Sequence, residues 1–270
     1  MKRLILYFVL TYAITWLIWL PYYAGISSNP IFHLLGAYGP ITAALIIAFR
    51  ERGFKGCKVF LASIFHFPKK IFYFMVALLA PFILLVVAVL MNYFINNTAL
   101  SFEGLGRWKE INSLSTIAYF AVSFFVFGIG EEAGWRSIAI PELQKRFNAL
   151  NTSIIFTFFW ALWHWPLFFY EHSGYYNMNF AAIIAWFFSL LVGSIILTWL
   201  FNASGGSILA CAIFHATIDI VFISDIPDKN IPNYIGLLTA LWAVVIIIKY
   251  RAKNLAKTER VKSVAIVSFN

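Results

Sequence analysis

Eight stretches of this chain are too long and too apolar for anything but helices in a membrane, and they dictate what it folds into. They lie at about 5–24, 31–49, 71–94, 116–139, 150–170, 180–201, 207–223 and 233–249. A helix needs roughly 20 residues to cross a bilayer core. In hydrocarbon each backbone N–H and C=O must find a partner inside the segment, which selects helices. The sequence therefore predicts an all-α fold: one integral-membrane domain over 1–270, a polytopic bundle of about eight transmembrane helices. With 62% hydrophobic and only 11% charged residues, a soluble two-domain protein of this length is excluded. The first stretch follows Lys2 and Arg3 but has no small-residue cleavage site. It reads as a retained helix.

Lys and Arg in the connections give the orientation. With the N-terminus inside, the cytoplasmic side collects Lys2, Arg3, Arg50, Arg52, Lys55, Lys58, Lys69, Lys70, Arg136, Lys145, Arg146 and the tail residues Lys249, Arg251, Lys253, Lys257, Arg260 and Lys262. That is seventeen of twenty, leaving Arg107, Lys109 and Lys229 outside. Both termini are then cytoplasmic. This arrangement also accounts for the net charge of +9 without a nucleic-acid partner. In the basic 50–70 loop, Phe54, Val59, Phe60, Ile64 and Phe65 alternate with the charges. It reads either as an amphipathic helix on the anionic leaflet or as an ordinary loop. Residues 95–115 form the largest external connection, and the basic tail 251–270 reads as mobile. Cys57 and Cys211 show neither metal-ligand spacing nor a disulfide pattern, so both read as free thiols.

Ionisable residues are costly at membrane depth, about 2.5–3.5 kcal/mol each on insertion scales, yet three spans carry them. The fourth holds Glu131, Glu132 and Arg136; the fifth holds Trp160 and His164, followed by Pro166; the seventh holds His215 and Asp219. Spacing of four puts both members of a pair on one helix face. Glu132 and Arg136 can thus pair, while Glu131 is turned about 100° away and left without a cation. Taken alone, the Glu132–Arg136 pair is also what a packing ion pair looks like. Depth brings the other groups in. At 1.5 Å rise per residue, His215 and Glu131 lie about 12 Å and His164 about 21 Å into their spans. Gly128, Gly130 and Gly134 around the acids permit close helix approach, and Gly205-Gly206 makes the turn into the seventh span. His33, His66 and His172 read as boundary residues.

Glu-Glu-xxx-Arg, then aromatic-xxx-His, then His-xxx-Asn/Asp, each on its own membrane helix and in this order, resembles the CAAX protease and bacteriocin-processing (CPBP, or Abi) family. The resemblance covers roughly residues 115–225. It implies a helical intramembrane protease with a cavity open to the cytoplasm, acting on prenylated or otherwise lipidated protein substrates. Family members also serve in bacteriocin immunity. By position, the resemblance makes Glu131 the carboxylate that activates water, assisted by His164. It assigns the oxyanion to His215 and Asp219, with Glu132, Arg136 and Trp160 supporting. Two positions depart from the family pattern. Trp160 stands where Phe is usual, and Asp219 where Asn is best known. An ionised Asp cannot donate to an oxyanion, so orientation of His215 by accepting its ring hydrogen is the favoured role.

Peptide hydrolysis needs an activated water, a proton shuttle and a donor for the oxyanion, and these residue types supply all three. Glu131, His164 and His215 also make up a three-ligand set of the kind zinc takes, although there is no HExxH. Metal-independent glutamate catalysis with no required cofactor is the preferred reading. The partners expected are a peptide or lipidated protein and membrane lipids. Two other classes compete: a non-catalytic immunity or scaffold protein, and a proton-coupled transporter using Glu and His as relays. The intact polar set argues against the first, and the lack of a repeat relating two halves argues against the second.

Overall fold

The computed structural model describes residues 2–108, 111, 114–171 and 173–264. His172, Lys109 and the tail residues 265–270 lie outside the described residues. The chain forms α1 (Lys2–Tyr23), the short α2 (Ile31–Gly36), α3 (Gly39–Ile64) and α4 (Ile71–Asn96). Then come α5 (Thr116–Gln144), α6 (Ala149–Phe169), α7 (Phe180–Ala203), α8 (Ile208–Ile223) and α9 (Asn230–Asn254). Among the described residues seven helices are long and apolar enough to cross a membrane. The chain is a multi-pass membrane protein built as a helical bundle.

The eighth apolar stretch differs from the expectation in length. The helix α8 has 16 residues, or about 24 Å, against a hydrocarbon core of about 30 Å. It starts after Gly205 and Gly206, whose φ values of +78° and +92° fit glycine and make the expected turn. Ser207 caps it, its hydroxyl accepting from the Ala210 N–H at 3.2 Å. Most of α8 is surrounded by protein, packed chiefly on α4 and on the first half of α5. A short helix suits that place, because its ends meet protein and not lipid.

The structure decides between the two readings of the 50–70 segment and corrects the expectation for the tail. The 50–70 loop is helical as far as Ile64, in a single α3 broken by non-helical backbone at Arg52 and at Gly53, whose φ is +58°. Beyond the break Phe60 and Ile64 are buried while Phe54 and Phe65 are exposed, which is the amphipathic alternative. The tail is held in place through its described part. The Asn202 side chain accepts from the Val261 N–H at 2.9 Å, the Thr258 hydroxyl donates to the Asn202 carbonyl at 2.7 Å, and Arg260 Nε donates to the Gln144 carbonyl at 2.8 Å. Residues at the ends of α5 and α7 thus tether, through backbone carbonyls and the Asn202 side chain, a segment whose composition alone suggests mobility.

Aromatic side chains knit the core around the site. Trp135 is fully buried and meets Tyr7, Phe156 and Trp163 edge-on at ring-centroid distances of 5.8, 5.3 and 5.8 Å, the T-shaped geometry that aromatic quadrupoles favour. Helix α1 braces α6 through hydrogen bonds: Tyr12 Oη donates to the Phe159 carbonyl at 2.8 Å, and Trp16 Nε1 to the Trp163 carbonyl at 3.0 Å. At the opposite end of the bundle from the tail, Asp228 accepts from the Asn230 N–H at 2.9 Å and from Asn92 Nδ2 at 2.6 Å. Those bonds hold its carboxyl below the usual range.

Candidate active site

The helix α5 is not uniform. Its backbone is π-helical over Ser123–Ile129 and again over Trp135–Ala139, with the α-helical turn Gly130–Gly134 between. Insertions of this type widen the helix and re-aim side chains, and they recur at functional sites. Here they flank Glu131 and Glu132. The glycines of this segment let neighbours come close. A Cβ on Gly128 would lie 2.4 Å from the Ala212 carbonyl oxygen of α8, and one on Gly134 would lie 2.4 Å from Pro40 of α3.

That approach presses the polar residues of three helices together. Arg136 Nε donates to Glu132 Oε2 at 2.5 Å, with both side chains fully buried. The other oxygen, Glu132 Oε1, meets His215 Nδ1 at 3.0 Å. On the far side of the ring, His215 Nε2 lies 3.4 Å from Asp219 Oδ2, the i,i+4 contact within α8. Arg136, Glu132, His215 and Asp219 therefore form a chain running from the protein interior outward, and Asp219 at its end is the more exposed group. Sequence spacing foresees both i,i+4 contacts. It misses the Glu132–His215 link, which crosses between helices.

Glu131 is not left free, as its position on the helix suggests. Its Oε2 accepts from Trp160 Nε1 at 3.1 Å and from Trp135 Nε1 at 3.4 Å. Among the described residues its Oε1 takes no protein donor. Trp160 reaches all three helices of the site. Besides its bond to Glu131, its ring lies 5.7 Å from that of His215 and 6.0 Å from that of His164. The His164 contact is tilted at 52°, not stacked. His164 Nδ1 lies 2.8 Å from the Trp160 carbonyl. A carbonyl only accepts, so Nδ1 carries the hydrogen and Nε2 of the neutral ring presents a lone pair. Pro166 follows at once, in a 3₁₀ turn over Trp165–Phe169 that ends α6.

Glu131, Trp160, His164, His215 and Asp219 all line one cavity of about 370 Å³. Its other walls are mostly apolar, with aromatic residues such as Trp163, Trp186 and Phe214 among aliphatic ones. Two contributors escape sequence reasoning. His33 is not a boundary residue: it sits on α2 against the cavity, its carbonyl accepting from Trp19 Nε1 at 3.2 Å. The short apolar run Ile31-Phe32-His33-Leu34-Leu35 folds as its own helix, and this turns His33 inward. Trp108, from the external connection, also reaches the cavity. It is 3% exposed, stacked on Tyr119 at 5.6 Å and bridged to Ser224 at the end of α8. The run Glu103–Trp108 with two glycines at positive φ, Gly104 and Gly106, is the sequence signal for this ordered segment.

Both His215 nitrogens face carboxylate oxygens, and one oxygen of Glu131 faces indole N–H groups. Among the described residues no group of three His, Cys, Asp or Glu side chains is disposed to hold a metal ion.

Comparison with known proteins covers the same part of the chain. Residues 113–221 match the family described as type II CAAX prenyl endopeptidase Rce1-like, nearly the stretch that carries the three motifs. The chain is also 28% identical over 205 residues to CAAX prenyl protease 2 of Methanococcus maripaludis, an alignment covering 71% of this chain and 73% of that protein. With its ionisable residues converging from three helices of a membrane bundle, this chain is similar to the CAAX-type intramembrane proteases of the CPBP family.

Proposed function

We propose that this chain is an endopeptidase that hydrolyses a peptide bond of a prenylated or otherwise lipidated protein within the membrane, using water activated by Glu131 and requiring no metal. The observation that carries the reading is the inequivalence of the two Glu131 oxygens. Oε2 is held by two indole N–H groups, and Oε1 has no protein donor among the described residues while the side chain borders the cavity.

In this mechanism Oε1 takes a proton from a water as the water oxygen bonds to the scissile carbonyl carbon. His164 Nε2, with its lone pair on the same cavity, accepts the second hydrogen of that water and fixes its direction. The carbonyl oxygen becomes an oxyanion near His215. Glu132 holds the ring through Nδ1, with Arg136 behind it, and Asp219 stands 3.4 Å from Nε2. That last contact is long enough for the Nε2 hydrogen to be shared with the developing charge, as oxyanion stabilisation requires. Collapse of the tetrahedral carbon breaks the C–N bond, and the proton on Glu131 passes to the leaving amine. Nine-tenths or more of each of Glu131, His164 and His215 is shielded from solvent, which strengthens these interactions. The largely apolar walls offer a hydrocarbon chain a matching surface, in keeping with a lipidated substrate.

The test compares purified wild type with Glu131→Gln on a fluorogenic farnesylated CAAX peptide in detergent. Cleavage is expected to fall 10²–10⁴-fold, the usual span for a general base, with unchanged expression and thermal midpoint. Chelators should leave the wild-type rate as it is. Equal rates in the two proteins would leave the non-catalytic immunity reading in place. Activity lost to chelation and restored by Zn²⁺ would favour the metal alternative.

A further inference from the structure

A second cavity, of about 400 Å³, opens between the start of α1, the second half of α3, the end of α5 and the C-terminal segment. Its charged lining is Arg3, Arg52, Lys145, Lys262, Glu51 and Glu142. Both acids are already engaged. Arg3 grips Glu51 with Nε at 2.8 Å and Nη2 at 3.2 Å, and Glu142 with Nη1 at 2.8 Å. Lys145 Nζ adds a 2.6 Å contact to Glu142. Among the described residues Arg52 and Lys262 have no carboxylate partner, and four cations against two acids leave the cavity at +2.

The place is as informative as the charge. Arg52 stands at the break in α3, and beyond it Phe54 is 78% and Phe65 60% exposed. Lys55 and Lys58 are exposed on the same segment. Exposed aromatics beside lysines on a short helix mark a segment at the lipid–water boundary, its apolar side chains among acyl chains. The Lys/Arg bias puts this end of the bundle at the anionic leaflet, where basic clefts between helices take phosphate headgroups. A guanidinium fork with an adjacent ammonium suits an anion with several acceptor oxygens. The volume, within the range of small-molecule pockets, admits a headgroup with its glycerol and not merely a bare ion.

We propose that this cavity binds the phosphate headgroup of an anionic phospholipid, held by Arg52 and Lys262 and framed by the Arg3–Glu51–Glu142–Lys145 network. Ser137 and Ile138 form part of its wall, so the lipid would touch the same π-helical segment of α5 that carries Arg136. The inference is independent of the proteolytic reading, since nothing in it requires turnover.

The test is binding, read by native mass spectrometry of the purified full chain titrated with dioctanoyl phosphatidic acid, dioctanoyl phosphatidylcholine or inorganic phosphate. Wild type should retain phosphatidic acid and not the choline lipid. The double variant Arg52→Gln/Lys262→Gln should bind phosphatidic acid about thirtyfold more weakly, from roughly fivefold per basic side chain at an anionic surface. The charge-conserving Arg52→Lys/Lys262→Arg should keep most of the affinity. Both positions are exposed, so the fold is not at risk. Equal phosphatidic acid binding by wild type and the Gln variant would overturn the proposal, as would equal retention of the choline lipid. Displacement of the lipid by equimolar inorganic phosphate would reassign the cavity to the free anion.

Discussion

Trp160 Nε1 donates to Glu131 Oε2 at 3.1 Å, and this one bond ties α6 to the acidic turn of α5. The same tryptophan, through its carbonyl, fixes the hydrogen of His164 on Nδ1. One residue thus sets the orientation of both groups assigned to the water. Phe, the aromatic usual at this place in the family pattern, keeps the ring but has no N–H to give.

Trp160→Phe should therefore lower kcat about tenfold and leave KM near its original value. A hydrogen bond to a charged acceptor contributes about 1.5–3 kcal/mol, and the 3.4 Å contact from Trp135 keeps part of the restraint. Steady-state kinetics on the farnesylated peptide measure it. An unchanged kcat would mean that the indole N–H does not position the carboxylate.

Glu131→Gln and His164→Ala should each be severe, and the double variant little worse than either. Groups that act on one water behave as a unit, and their losses do not add. Single-turnover rates for the four proteins of the cycle give the coupling directly. Additive losses would separate the two residues into independent roles.

Arg136→Ala removes one member of a fully buried pair and leaves Glu132 beside His215 without its cation. Breaking a buried pair in this way costs about 3–5 kcal/mol. Lower yield and a lower thermal midpoint in detergent are expected, together with lost activity. Normal accumulation with full activity would show that the pair supports neither fold nor site.

Gly128→Ala tests the helix approach that assembles the site. The added Cβ would meet backbone, the Ala212 carbonyl oxygen at 2.4 Å, and backbone cannot rotate away. Overpacking of this kind costs about 1–3 kcal/mol. The thermal midpoint should drop, and cleavage with it, because His215 lies on the helix that is pushed off. Gly236, with open space around its Cα, provides the control: Ala there should leave both readouts unchanged.

A reporter fused after Asn270 should register as cytoplasmic. Arg136 is fully buried and so does not count as a loop charge, but the remaining basic residues still fall overwhelmingly on one side. Arg3, Arg52, Lys145 and Lys262, drawn from four separate parts of the chain, meet at one cavity, which is what that bias demands. An external signal would reverse the orientation of the site.

The sequence by itself determined the helical bundle, because apolar runs near 20 residues admit no other backbone in a membrane. It also determined the pairs Glu132–Arg136 and His215–Asp219, since contacts four residues apart follow from helix geometry alone. Only the tertiary structure decided what lies across helices. The Glu132–His215 contact, the indole bond from Trp160 to Glu131, and the entry of His33 and Trp108 into the cavity depend on interhelical rotation and approach. Those are set by π-helical turns in α5 and by the small clearance at Gly128 and Gly134. No local period in the sequence encodes them. The pinned tail has the same origin: Arg260 and Val261 find partners on Gln144 and Asn202, residues 116 and 59 positions away along the chain. Local composition could register only their charge and polarity.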